Sequence, residues 1–184
     1  MEKFFGREAG LAEQQVTGRA EEQLVVFKLG EETYGIEISV VHEIIRMQDI
    51  TEVPRTPEFV EGVINLRGRI VPVIDLRKRF GLPVGERTSA WRIMVIQMGD
   101  ITVGMIVDAV LEVLRLPAGS IELPPAMITG IDTAYLRGVG KWQDRLIILL
   151  DVEKILRENE KKELQEEAGR EIASALEGQE ELLT

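Results

Sequence analysis

Residues 25 to 46, VVFKLGEETYGIEISVVHEIIR, lie without a gap on residues 94 to 115, MVIQMGDITVGMIVDAVLEVLR, at a constant offset of 69. Seven of these 22 positions are identical: Val26/Val95, Gly30/Gly99, Thr33/Thr102, Gly35/Gly104, Val41/Val110, Glu43/Glu112 and Arg46/Arg115. Most of the others exchange one apolar residue for another. Further on, Gly62-Val63 matches Gly130-Ile131, Leu66-Arg67-Gly68 matches Leu136-Arg137-Gly138, and Ile70 to Leu76 matches Leu146 to Val152. Three matches in one order describe two copies of a unit of roughly 65 residues, a size at which a small domain leans on its neighbour.

Within the unit the strands are short and the turn residues frequent. Leu24 to Leu29 and Thr33 to Ile38 flank Gly30-Glu31-Glu32, a hairpin in which glycine supplies a positive φ. Val40 to Arg46 reads as a short turn leading into a strand. Val63 to Leu66 and Ile70 to Ile74 pair across Arg67-Gly68-Arg69. Leu76 to Phe80 suits a short helix with Asp75 as N-cap and Gly81 as its stop. Five such strands close more readily into a small barrel than into an open sheet, because closure removes exposed edges. The expected architecture is all-β: two tandem five-stranded barrels, with short connecting helices and a C-terminal helix.

The 184 residues carry a net charge of −10, unevenly placed. Residues 1–22 hold five acids and three bases, residues 23–150 hold 16 and 14, and residues 151–184 hold 11 and five. The middle is nearly balanced, which removes the basic footprint that nucleic acid needs. Residues 1–22 read as a flexible extension. From Asp151 onward, apolar residues at Val152, Ile155, Leu156, Leu164, Ala168, Ile172 and Leu176 suit an amphipathic helix whose first turns dock on the core, broken or capped near Gly169 and Gly178. Residues 158–184 form its acidic tail.

Catalytic and metal chemistry find little to work with. Cysteine is absent and His42 is the only histidine, so disulfides, thiolates and multi-histidine metal sites are excluded. There is no phosphate loop, and Gly138-Val139-Gly140 reads as a turn. Asp75 and Asp151 read as helix caps rather than a carboxylate pair. His42 has Leu111 as its repeat partner and reads as an edge-strand side chain. Arg67, at a tight Leu-Arg-Gly corner expected in both copies, suits recognition as well as simple carbonyl capping. No catalytic, cofactor or metal residue is assigned. No apolar run approaches a membrane span or a signal peptide, so a cytoplasmic chain is expected.

The run Val25 to Ile38, then Val41-His42-Glu43-Ile44, Val53-Pro54, Pro57 to Gly68 with its Asn-Leu-Arg-Gly motif, and Ile70 to Arg77 resembles the CheW family of bacterial chemotaxis coupling proteins. Val103 to Asp108 and Glu122-Leu123-Pro124-Pro125 are similar as well, and the likeness covers residues 23–157. Asn65 is unmatched in the second copy, where Tyr135 stands in the expected correspondence.

That resemblance implies two SH3-like barrels about a pseudo-twofold axis, intertwined or in tandem, with repeats starting near 25 and 94. It implies a non-enzymatic adaptor that joins the cytoplasmic tips of chemoreceptors to the regulatory domain of the histidine kinase CheA, recruited to membrane-attached arrays. It places Val41, Glu43, Gly62, Arg67 and Ile93 near the receptor groove or the surface that signals to the kinase. Ile38 and Ile44 line an apolar floor or belong to the core. The expected site is an open apolar strip between the barrels, rimmed by Arg67 and Glu43, receiving a helical hairpin. A small-molecule- or nucleic-acid-binding double barrel is the alternative, and an enzyme with an unfamiliar site a further one.

Overall fold

The computed structural model describes residues 21–123 and 132–183, with side chains described through Arg170. The expected extension before Glu21 and the Gly130-Ile131 pair lie outside them. β1 (Glu21–Leu29) and β2 (Glu32–Glu37) form the expected hairpin, with Gly30 at φ 60° in its turn. A 3-10 turn, Ile38–Val40, leads into β3 (Val41–Arg46). β4 (Val60–Leu66) and β5 (Arg69–Asp75) follow, then a one-turn helix α1 (Leu76–Arg79). Asp75 caps α1 by accepting from the Arg77 and Lys78 amides, and Gly81 at φ 71° ends it. The second half runs β6 (Arg92–Met98), β7 (Ile101–Val107), β8 (Ala109–Pro117), β9 (Ile121–Glu122), β10 (Leu136–Trp142) and β11 (Arg145–Leu150), then α2 (Val152–Ile155) and α3 (Glu158–Leu183).

The strands make two SH3-like barrels, and neither barrel is built from one repeat. One sheet has the order β8-β1-β2-β11-β10-β9, the other β3-β6-β7-β5-β4. Each repeat's first hairpin therefore completes the barrel that holds the other repeat's last strands. The chain crosses between barrels at Ile38–Val40 and at Asp108, where it turns from β7 into β8.

The two halves agree in detail. A bulge between Val41 and Glu43 against β6 recurs between Val26 and Phe27 against β8, and a bulge between Val60 and Gly62 recurs between Leu136 and Gly138. This second match shifts the correspondence expected for β4, whereas the match of Ile70 to Leu76 with Leu146 to Val152 already has the shifted offset and holds. Gly62 is equivalent to Gly138, at an offset of 76, and the Arg67-Gly68 turn is equivalent to Gln143-Asp144, each pair with positive φ. Leu136-Arg137-Gly138 is a strand start, not a corner, and Gly138-Val139-Gly140 is buried strand, not a turn. The string Leu-Arg-Gly coincides in letters, but the bulge and the turn decide the register.

Pleating explains the apolar runs. Leu24 and Val26 of β1 point into one barrel with Ile147 and Leu149, while Val25, Phe27 and Leu29 point to the seam between barrels. In the other barrel Ile93 and Val95 of β6 fill the lumen with Val71 and Val73, while Met94, Ile96 and Met98 face the seam. Both strands are covered on both faces, so neither alternates with polar residues. Among the described residues the seam holds 23 buried residues and each lumen six. At about 1.5–3 kcal/mol per fully buried aliphatic side chain, the seam is the main store of stabilisation.

α3 runs unbroken through Gly169 and Gly178. Its first turns are anchored: Leu164 joins the seam core, and Arg79 donates to both Glu160 carboxylate oxygens at 2.8 and 3.1 Å and to the Ile155 carbonyl at 2.7 Å. A Cβ at Gly169 would meet nothing within 4 Å, so this glycine marks open space, and its modest helix penalty is not enough to end an anchored helix.

Candidate partner-binding surface

β3 is an edge strand of its sheet; of the expected site residues it carries Val41, Glu43 and Ile44, the β4–β5 turn carries Arg67, and Ile38, Gly62 and Ile93 lie in the preceding 3-10 turn, β4 and β6. Arg67 sits in that turn at φ 51°, with its side chain 74% exposed, and pairs with Glu43. The turn is closed by Asn65, whose side-chain oxygen accepts from the Gly68 amide at 2.8 Å, while Gln48 donates to the Asn65 carbonyl at 3.3 Å. Asn65 thus holds the backbone in the left-handed conformation that presents the arginine.

The expected residues divide between the two faces of β3. Glu43 stands opposite Val95, a lumen residue, whereas Ile44 stands opposite Met94, a seam residue. Directly opposed residues share a face, so the Glu43–Arg67 pair and Ile44 look in different directions. Val41 packs on the seam core from the same strand, and Ile38 and Ile44 are 36% and 39% exposed. The expected open strip between the barrels is instead packed seam core, and the ion pair does not rim it. Ile93 is fully buried in the lumen and supports β3 from beneath. Gly62 is buried too: at φ 141° its Cβ would stand 2.0 Å from the Thr51 carbonyl oxygen, in the bridge that joins Thr51 to Val63. Only glycine admits that approach.

Arg137, expected as the counterpart of Arg67, instead holds Glu22 of β1 and Glu37 of β2, which the other repeat contributes to the same barrel. The hydrogen bond it donates to Glu22, chiefly, raises its pKa, against the opposing effect of burial.

Arg77 was not singled out by its sequence, although it follows the capping Asp75 by two residues. The residue is 1% exposed, and its guanidinium donates to both Asp75 oxygens at 3.1 and 3.0 Å and to Asp108 at 2.8 Å, and lies 3.7 Å from the Trp91 ring centroid. Asp108 in turn accepts from the Gly30 amide at 2.6 Å, and its own amide donates to the Lys28 carbonyl. One buried arginine thereby ties α1, the β7–β8 crossover and the β1–β2 turn together.

A CheW-like domain family model matches residues 23–160, three quarters of the sequence. The chain belongs to the CheW family. A chemotaxis protein CheW of Klebsiella aerogenes is 41% identical over 142 residues, covering 76% of this chain and 84% of that one. The CheW of Thermotoga maritima is 37% identical over 139 residues, covering 74% and 88%. The solved structure of the scaffolding protein TtCheW from Thermoanaerobacter tengcongensis superposes with a TM-score of 0.70 at 45% identity, covering 76% of this chain and 90% of that one. These CheW relatives are chemotaxis scaffold or adaptor proteins, and the two-barrel fold is theirs. No helix among the described residues is long and apolar enough to cross a membrane.

Proposed function

We propose that this chain is a non-enzymatic coupling protein that links the cytoplasmic hairpin tips of chemoreceptors to the histidine kinase CheA, recruited by them to membrane-attached arrays. Its membership of the CheW family supports this reading. So does the surface of β3: an edge strand whose Glu43 pairs with Arg67 of the β4–β5 turn on one face, with partly exposed isoleucine on the other, suits a receptor helix laid along it. A single such contact would be modest in affinity and strengthened by repetition within an array. The kinase's regulatory domain would use a separate barrel end, since one chain must hold both partners at once.

The test is capture of a receptor cytoplasmic fragment and of CheA by Arg67→Ala and Val41→Asp variants that keep the wild-type circular dichroism spectrum. Loss of receptor capture with loss of kinase activation is expected. Retention of both by both variants overturns the site assignment.

A further inference from the structure

Arg46, at the end of β3, and Arg92, at the start of β6, are direct cross-strand partners. Like charges opposed in this way destabilise a sheet unless an anion answers them. None does among the described residues: Arg46 and Arg87 have neither an ion pair nor a hydrogen bond, and Arg92 donates only to the Ser89 and Trp91 carbonyls, at 2.8 Å each. The three arginines line one hollow of about 470 Å³, open to solvent, whose floor includes Met47 and Trp91. No carboxylate lines it. In a chain of net charge −10 this is a concentrated positive patch.

The hollow is also prepared. Trp91 is held by the Arg77 guanidinium, itself fixed by Asp75 and Asp108, so the ring needs little ordering when something lands on it. An apolar floor of tryptophan and methionine with arginines around it has the composition of an interface centre rather than of ordinary surface. We propose that this hollow docks an acidic amphipathic peptide segment of a partner protein, one apolar side chain resting on Met47 and Trp91 while carboxylates pair with Arg46, Arg87 and Arg92. The surface is distinct from the Glu43–Arg67 pair and requires neither receptor nor kinase to be tested.

The probe is a fluorescein-labelled peptide of about 12 residues, Glu-Glu-Leu-Glu repeated, titrated with the full chain and followed by anisotropy. Binding is expected at about 50 mM salt and should weaken steeply towards about 500 mM. The Arg46→Ala/Arg87→Ala double variant should bind at least about tenfold more weakly, as loss of charge-assisted hydrogen bonds implies. Both positions are exposed, so folding is not at risk. In a Trp142→Phe background the peptide should shift the emission of Trp91. Arg67→Ala should bind as wild type does.

Absence of binding at low salt, equal binding by the double variant, equal binding of the Gln-for-Glu peptide, or loss of binding in Arg67→Ala overturns the proposal. So does displacement of the peptide by inorganic pyrophosphate or a short oligonucleotide at concentrations below that of the peptide itself, which would make this a phosphate site.

Discussion

Gly104 lies beneath Ile93, so close that a Cβ on the glycine would stand 2.8 Å from Ile93 Cγ2. Both are lumen positions of one barrel, on paired strands β7 and β6. The side chain of Ile93 fills the space that a residue at 104 would need. Gly104→Ala should therefore destabilise the fold by about 1–3 kcal/mol through overpacking. Ile93→Ala removes the Cγ2 that the new Cβ would meet, so the double variant should lose less than the sum of the two single losses, and urea denaturation of the two variants and the pair measures it. Additive effects would show that the contact does not matter.

Gly62→Ala should be more damaging, because the new Cβ meets backbone rather than a movable side chain. A cost of roughly 3 kcal/mol or more is expected, read as a lowered urea midpoint. Any loss of partner binding in this variant should track the fraction unfolded. A fully folded Gly62→Ala protein that fails to bind would contradict this account.

Replacing Arg77 by Met strands Asp75 and Asp108 without their cation. The expected cost is about 3–5 kcal/mol, the range for breaking a buried pair by removing one partner. Hydrogen exchange should quicken at the Gly30 amide, which donates to Asp108, and less at Gly99, which donates to Glu153 at 3.0 Å.

Burial, with help from Glu32, pushes the Tyr34 hydroxyl up to about 12 from its ordinary value of 10.0. The folded state holds this proton more tightly than the unfolded chain does. Its contribution is complete below the unfolded value and is lost as pH rises through 10 towards 12. Denaturation midpoints of wild type and Tyr34→Phe, compared across that window, should fall more steeply for wild type. Parallel curves would remove Tyr34 as a cause of alkaline instability.

Truncation before Glu158 removes Glu160 and Leu164, leaving Arg79 without its carboxylate and the seam open at one end. A loss of about 2–4 kcal/mol is expected from the apolar side chain and the half-buried pair together. Truncation after Arg170 should cost far less, and comparing the two locates the anchored portion of α3.

Much of this was legible in the sequence wherever the determinants are local. The β1–β2 hairpin, the turn before β3, the caps at Asp75 and Asp151 and the stop at Gly81 depend on a few neighbouring residues. The duplication was legible too, but the exchange of hairpins between repeats was not, since pairing β1 with β8 is a matter of distance along the chain. Arg137 was misplaced because a shared tripeptide outweighed the bulge that sets its register. Ile93 had a usable signal: its repeat partner Leu24 lies in the same alternating run, and both face a lumen. Arg77 gave none, because a buried arginine and a solvated one follow an N-cap in the same way.

The exchange of hairpins bears on what a fragment of this protein could be. Half of the chain contains the strands of neither barrel in full, so one repeat on its own would leave the faces of its hairpin uncovered. Two identical repeats could cover them for each other, as a symmetric swapped dimer does. The 16 residues from Leu76 to Trp91 that join β5 to β6 then turn an association between molecules into one within a molecule, making it independent of protein concentration.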